Sequence, residues 1–504
     1  GDNGPSMPKW LPVTLVAIAA VIALSIALRE PAGPGSFKAG TADVAVADAC
    51  PVLGPGGSSD EGTVPLPFVS FDGVDGAHVE FRQEFTVAQN YFLGRYGQVT
   101  LAVGGRVFHP NNGTCVTPYD EAERFIVLDD GSNRQNPSPV PYLAGGTLRT
   151  GSTVADVSGR IDLADVHMNA SGLPEWYVLT PDGSLKFDRT VNPRPPAPPE
   201  VGGNVRVAVF NVENYFTTRN SRGARDDREF RRQHSKLVAA LDGLAADVIG
   251  LIEIENDDGA SLEVMLNGQP GGPEGLNSSG GGDYAWVMAQ GFGAGSDAIG
   301  LAFIYRTSVL RPVGATRADT SPLHNRPPVA QDFEHLESGE VFTLILAHLK
   351  SRGGCESNDP DRGSGCWDSL RARQMSSLMD TFSVSLDEGS TLVLGDMNAY
   401  ALEAPVTALT DAGMTDLLAT FVPVQERYTY VFSPGWSGYI DHALASPAIL
   451  DQVCGAAVWH INSDEPPVFH YTGARFGPDV YSPDPFRSSD HDPVLVGLAL
   501  GAPC

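Results

Sequence analysis

Lysine is nearly missing from this chain. Only five occur in 504 residues, at positions 9, 38, 186, 236 and 350, and Lys and Arg together number 33 against 61 Asp and Glu. The formal charge of −28 excludes a broad cationic face and predicts solubility with long-range repulsion of polyanions. A nucleic-acid substrate must then be met by bound cations and a few local arginines. Zinc spacings are absent too: there is no CxxC and no paired Cys/His pattern, which removes the zinc-finger and ribbon classes. No internal repeat is present, so solenoids and propellers are excluded. Charge itself is missing from residues 10–28, WLPVTLVAIAAVIALSIAL, a run of 19. That length suffices to span a bilayer. Lys9 before the run and the small-x-small triplet Ser25-Ile26-Ala27 fit a cleaved secretory signal equally well. Residues 1–28 are expected to be a signal peptide or membrane anchor, and either way the body is exported.

Six cysteines, at 50, 115, 355, 366, 454 and 504, agree with an oxidising compartment. Cys355 and Cys366 bracket a short Gly/Asp loop and form the expected pair. Cys50–Cys115 and Cys454–Cys504 would staple two units separately, one choice among several connectivities. Residues 29–61 are rich in Gly, Ala, Pro and Ser and read as a flexible stalk. From 62 to 190 short alternating stretches such as HVEFRQEFTV and ERFIVLDDGS predict a small all-β unit. VNPRPPAPPEVGG, residues 191–203, is a linker.

Beyond it, 204–504, the pattern becomes α/β. VRVAVFNV, VIGLIEIE, IGLAFIYR, FTLILAHL, TLVLGDMN and GYIDHALA are candidate strands. A helix is expected after the first, with Phe230, Leu237, Val238, Leu241 and Leu244 on one stripe, and another around 367–386. Acids, amides and histidines recur at the carboxyl ends of these strands, where α/β sheets build sites: Asn211, Glu253, His348, Asp396, Asn398 and Asp441, with Asp490-His491 before a last apolar run. Each has a plain structural reading as a cap, a solvated strand end or a satisfied histidine. Together they suit phosphate-ester hydrolysis. Asn, Glu and Asp offer hard oxygen ligands to a divalent cation, and an imidazole paired with a carboxylate takes a proton near neutral pH.

The ordered set FNVENYF, DVIGLIEIEND, LAHLKS, LGDMNAY, YIDHALAS and FRSSDHDPV resembles the endonuclease/exonuclease/phosphatase superfamily, with its DNase I-like fold. Within it the sequence is similar to secreted bacterial endonucleases of the ExeM/NucH type, a likeness that extends to NYFLGRYGQVTL, NRPPVA, GSGCWDSLRARQ and WHINSDEP and covers roughly residues 62–500. The resemblance implies a four-layer sandwich of two mixed β-sheets flanked by helices, preceded by a domain of oligonucleotide-binding (OB-like) type. It implies Asn211, Glu253 and Asp490 as metal ligands and Asp441–His491 as the dyad that activates water. Asp396 would orient the nucleophile, Asn398 would bind the scissile phosphate, and His348 would contact it from the other side and protonate the leaving oxygen. Asn214 and Arg371 would bind substrate, and Glu213 receives no role.

The cofactor expected is a divalent cation, Mg²⁺ first, with Mn²⁺ or a structural Ca²⁺ as alternatives. The expected partner is DNA, with RNA second, and a membrane only through an uncleaved leader; no protein partner is evident. Tyr91, Phe92, Arg95 and Tyr96 of the β unit are either stacking residues for a single strand or ordinary packing. Two other functions compete: a phosphomonoesterase or sphingomyelinase-like phosphodiesterase on the same fold, and a catalytically inactive binding module. The chemically intact set of strand-end residues counts against the last.

Overall fold

Strand Val205–Tyr215 shows how the sequence builds its layers. Val205, Val207 and Val209 face a core between two sheets, while Ala208, Phe210 and Val212 face a second core under a helix. A strand buried on both sides needs apolar residues at both parities, which VRVAVFNV supplies. The same division holds in Val341–His348, where Phe342, Leu344 and Leu346 point inward and Ile345 and Ala347 point toward the outer helices. In the computed structural model, residues 75–504 are described apart from 82, 115–123, 133, 165–175, 279–281, 292–294, 357–360 and 384–388. The apolar run 10–28, the stalk, Cys50 and Cys115 therefore lie outside the described residues.

Two six-stranded sheets form the catalytic half. In one, the order is Tyr284–Met288, Ile299–Arg306, Val248–Glu255, Val205–Tyr215, Val494–Leu498 and Val453–Val458. In the other it is Leu310–Ala318, Val329–His335, Val341–His348, Thr391–Asp396, Asp441–Ala445 and Thr415–Asp416. Each sheet is mixed, with one parallel pair at its centre: Val248–Glu255 beside Val205–Tyr215, and Val341–His348 beside Thr391–Asp396. The sheets pack face to face over one shared core. Helix Asp227–Leu244 covers the first sheet, and helices Asp368–Phe382 and Ala404–Asp411 cover the second. The long first helix starts on a capping box: Asp226 accepts from the Glu229 N–H at 2.8 Å, and Glu229 accepts from the Arg225 N–H at 2.9 Å. This is the DNase I-like four-layer sandwich. Disulfides join Cys355 to Cys366 and Cys454 to Cys504. Among the described residues no helix is long and apolar enough to cross a membrane.

The amino-terminal half is all-β. Its strands between His78 and Pro181 form one seven-stranded sheet whose edges are His78–Phe81 and Thr153–Val154. Among the described residues no pairing joins those two edges to close a barrel. Both halves belong to one compact unit. Their contact has an apolar part, where Val468 joins the core around Leu93, and a buried polar part. Asp464 accepts from Arg106 at 2.9 Å, Arg149 at 2.9 Å, Asn192 at 2.8 Å and Tyr428 at 3.0 Å, as well as from the Thr150 hydroxyl. Glu465 takes Arg149 at 2.7 Å and Arg194 at 2.8 Å. A two-residue strand, Val107–Phe108, adds itself to the catalytic hairpin at Trp436–Gly438. Arg194 and Asn192 belong to the proline-rich connection, so residues 191–203 take part in the dock.

Burial alone would raise the Asp464 carboxyl. Arg106 and Arg149 outweigh it and hold the group well below the ordinary carboxylate range. A depressed carboxyl contributes its stability fully above the unfolded value near ~3.9 and loses it as pH falls below that. Asp464→Ala should therefore cost about 3–5 kcal/mol of unfolding free energy at neutral pH, because it removes the carboxylate paired with Arg106 and leaves Arg149 with Glu465 alone. It should also flatten the acid arm of stability below pH ~4. Denaturant titrations across pH check both, and an unchanged midpoint would show that the dock contributes nothing.

Candidate active site

The site forms where strand ends from both sheets meet. Asn211 lies inside the strand Val205–Tyr215, and Asp441, expected at a carboxyl end, instead opens the strand Asp441–Ala445. The strand beside Asn211 carries a bulge: Glu253 has φ of 69° and the pairing register shifts between Ile252 and Ile254 on both sides. A bulge re-aims one side chain out of the alternation, and here it turns Glu253 toward Asn211. The Asn211 amide donates to Glu253 Oε1 at 3.4 Å and to Asp396 Oδ2 at 3.2 Å, spanning the two sheets. The Asn214 N–H donates to Glu253 Oε2 at 3.0 Å.

On the second sheet His348 and Asp396 are direct register partners. Gly395 brings them together. Its φ is 145°, and a Cβ there would lie 2.0 Å from the Ala347 carbonyl, so no side chain fits. His348 Nε2 is 3.5 Å from Asp396 Oδ2. Asn398 was expected on the same strand face as Asp396, two residues on. The strand instead ends at Asp396, and Asn398 sits in a turn at φ of 47°. Its N–H donates to Asp396 Oδ1 at 2.9 Å and its amide to the Leu349 carbonyl at 3.2 Å.

The dyad is well formed. His491 Nδ1 lies 2.8 Å from Asp441 Oδ2, and since an ionised carboxylate only accepts, Nδ1 carries the proton. Thr429 donates to the same oxygen at 2.6 Å. His491 Nε2 therefore faces Asp396 Oδ2, at 3.8 Å, and the Tyr430 ring leans on the imidazole with centroids 4.8 Å apart. Ser489 fixes the loop, donating to the Asn211 carbonyl at 2.6 Å and accepting from the His491 N–H at 3.2 Å. Asp492, two residues past Asp490, is structural: it accepts from the N–H groups of Asn462 and Ser463 and pairs with His460.

Electrostatics set the character of the site. Burial pushes the Glu253 carboxyl up to about 7, with Asp490 and Asp396 adding to the rise. Burial raises Asp490, and Glu213 raises it further. Asp396 is also raised, by burial and by Asp441. Burial lowers the His491 imidazole, but Asp441, Asp396 and Asp490 outweigh it and carry the group well above its ordinary value. The site is an acid cluster short of positive charge. Such a cluster fits a hard divalent cation, and Asn211, Glu253 and Asp490 supply an all-oxygen donor set. Asp396, Asp441 and His491 also bring ligand atoms within 4.8 Å of one another, but their mutual hydrogen bond and raised imidazole already provide a counter-charge there.

Two sequence expectations change. Arg371 is fully buried, and its guanidinium donates to the carbonyls of Lys350, Ser364 and Cys366. It pins the disulfide loop and is not brought to the cluster. His348 was expected to protonate a leaving oxygen. Arg326 points Nη1 at its Nε2, 3.1 Å away, and a guanidinium only donates, so that nitrogen is an acceptor. Burial first and Arg326 second keep this imidazole neutral. Arg326, which also donates to the Leu349 carbonyl at 2.7 Å, went unassigned although NRPPVA carried it. Glu213 pairs with His470 at 3.1 Å; no motif spacing links those two.

The family model described as the endonuclease/exonuclease/phosphatase family matches residues 208–491. No curated protein matches. Similar solved structures include the human Nocturnin catalytic domain with bound sulfate, 17% identical over 58% of this chain and 93% of that one, TM-score 0.38. They also include a Bacteroides thetaiotaomicron mannosyl-6-phosphatase, 16% identical over 58% and 99%, TM-score 0.38. A third is D. rerio TDP2 complexed with a single-strand DNA product, 15% identical over 58% and 97%, TM-score 0.38. Likenesses of that size say nothing about this chain's substrate.

A carboxyl raised in the folded state opposes stability as it ionises. Metal-free protein should lose stability as pH climbs from ~4.3, where free Glu titrates, toward the folded value of about 7. Glu253→Gln should remove part of that decline and raise the melting temperature measured in EDTA at pH 8. A lower melting temperature for the variant would show that Glu253 is already neutralised by the protein.

Proposed function

Because the chain belongs to the endonuclease/exonuclease/phosphatase family, we propose that it is an exported, metal-dependent endonuclease. Its substrate is extracellular DNA, with RNA second, cut at phosphodiester bonds with little sequence preference. The observation that carries this reading is the dyad His491–Asp441 at 2.8 Å, aimed into a buried acid cluster whose charge the protein only partly offsets. Two disulfides among the described residues support an oxidising compartment, and the spread of ExeM/NucH-like motifs into the β unit supports a nuclease.

In this reading Asn211, Glu253 and Asp490 hold the cation, Mg²⁺ by preference for oxygen ligands. When bound, it supplies the positive charge these acids lack and a Lewis acid for a phosphate oxygen. His491 takes a proton from water at Nε2, and Asp441 fixes the tautomer and stabilises the imidazolium. The acids that raise this imidazole would be offset by the bound cation, which would leave Nε2 free to accept. Asp396 orients the water, and Asn398 hydrogen-bonds the phosphate. Arg326, steadied by neutral His348 and the Leu349 carbonyl, offers donors to the charge that builds on the phosphate. Asn214 shapes the Glu253 bulge through its backbone.

A phosphomonoesterase or a sphingomyelinase-like phosphodiesterase is the second reading, favoured by the charge of −28, which repels a long polyanion more than a small ester. Supercoiled plasmid separates the two. Nicking with Mg²⁺ or Mn²⁺ that stops in EDTA, and a roughly 10²–10⁴-fold loss in His491→Ala, are the expected results. Intact plasmid in every metal would transfer the assignment to small or lipid esters. Undiminished nicking by the variant would remove His491 as the base.

A further inference from the structure

A cleft of about 190 Å³ opens beside Asp490, and its walls come from both halves of the molecule: Tyr91 from the β unit, and Glu213, Tyr430, Arg475, Phe476 and Asp490 from the catalytic half. We propose that this cleft is a stacking subsite for one unpaired nucleobase adjoining the scissile phosphate, with Tyr91 and Phe476 as its aromatic wall. The inference rests on the nuclease reading and adds a preference for single-stranded or frayed substrate.

Tyr91 is too exposed to be core, at 43%, yet it is held firmly. Asn90 beneath it donates to the carbonyls of Leu148 at 2.9 Å and Asp464 at 2.7 Å. Leu93 is fully buried. Gly94 runs so close to the catalytic half that a Cβ would lie 2.3 Å from the Phe476 carbonyl. The Tyr91 ring meets Phe476 edge-on at 5.7 Å and Phe92 at 5.0 Å. On the far side Tyr430 links the cleft to the catalytic imidazole. Rings held at fixed positions around an open space are what a planar ligand needs, because little conformational entropy remains to be lost.

Charge does not oppose such a ligand. Glu213, paired with His470, and Asp490 line the cleft together with Arg487, so the acids there are partly offset and a flat uncharged ring meets no repulsion. Arg475 is exposed at the rim, 5.4 Å from the Phe476 ring centroid, where a flanking phosphate passes. At ~30 Å³ per water the space holds roughly six waters. That suits one base swung out of a strand, not a stacked duplex.

The test compares full-length wild type and Tyr91→Ala on a labelled single-stranded oligonucleotide and on an all-abasic strand of equal length. Alanine should raise KM for the normal strand about tenfold, the usual scale for losing one base stack. It should leave kcat and cleavage of the abasic strand unchanged, and Tyr91→Trp should restore KM. Phe476→Ala should repeat the pattern, with thermal melts confirming the fold. Unchanged KM in both alanine variants, or an equal loss on the abasic strand, overturns the subsite while leaving the nuclease intact. Wild type that nicks plasmid but cuts neither strand overturns the subsite alone, and wild type that also leaves plasmid intact overturns the nuclease reading and the subsite with it.

Discussion

Four carboxylates, Glu253, Asp396, Asp441 and Asp490, converge in a buried space where His491, Arg326 and Arg487 offer positive charge and His348 stays neutral. Ionised groups out of water need partners, and this site is built short of them. The rise in the Glu253, Asp396 and Asp490 carboxyls is the electrostatic signature of that shortage. Much of the local backbone serves it. Glu213, Asn214, Glu253 and Asn398 all adopt left-handed φ values between 47° and 69°, a conformation that costs a non-glycine residue of order 1 kcal/mol or more. Strain of that kind persists where surrounding structure over-determines it. Here the two sheets, Gly395 and the Asn462–Ser489 loop contacts do so.

The β unit belongs to the same design. Asp464 and Glu465 gather arginines from the strand connections at 106 and 149 and from the chain at 194. That pairing seats Asn90 and the turn at 91–97 against residues 467–477. The polar dock, together with Val468 packed into the core around Leu93, places an aromatic wall beside Asp490. An isolated tether between the halves could not hold Tyr91 within 5.7 Å of Phe476.

The sequence revealed several strands buried on both sides but not Val329–His335 or Val453–Val458. VIGLIEIE and IGLAFIYR match their strands residue for residue, at 248–255 and 299–306. The hairpin partner Leu310–Ala318 escaped because it is an edge strand exposed along most of its length, with Pro312 and Gly314 inside it. The strand-end acids were legible from their placement, and the dyad through the family resemblance. Arg326 was not, since it sits in a proline-rich loop without periodicity. Arg371 misled because the family resemblance implied a substrate-binding role, and only the tertiary fold shows three carbonyls closing around it. The protonation of His348 depends on a donor 22 residues away, which no local pattern encodes.

Anomalous diffraction from crystals soaked in Mn²⁺ tests the central claim most directly. The account predicts a peak bounded by Asn211, Glu253 and Asp490, with the His491–Asp441 hydrogen bond intact beside it. A peak among Asp396, Asp441 and His491 instead, with that hydrogen bond broken, would contradict it. The imidazole would then be a ligand and not a base.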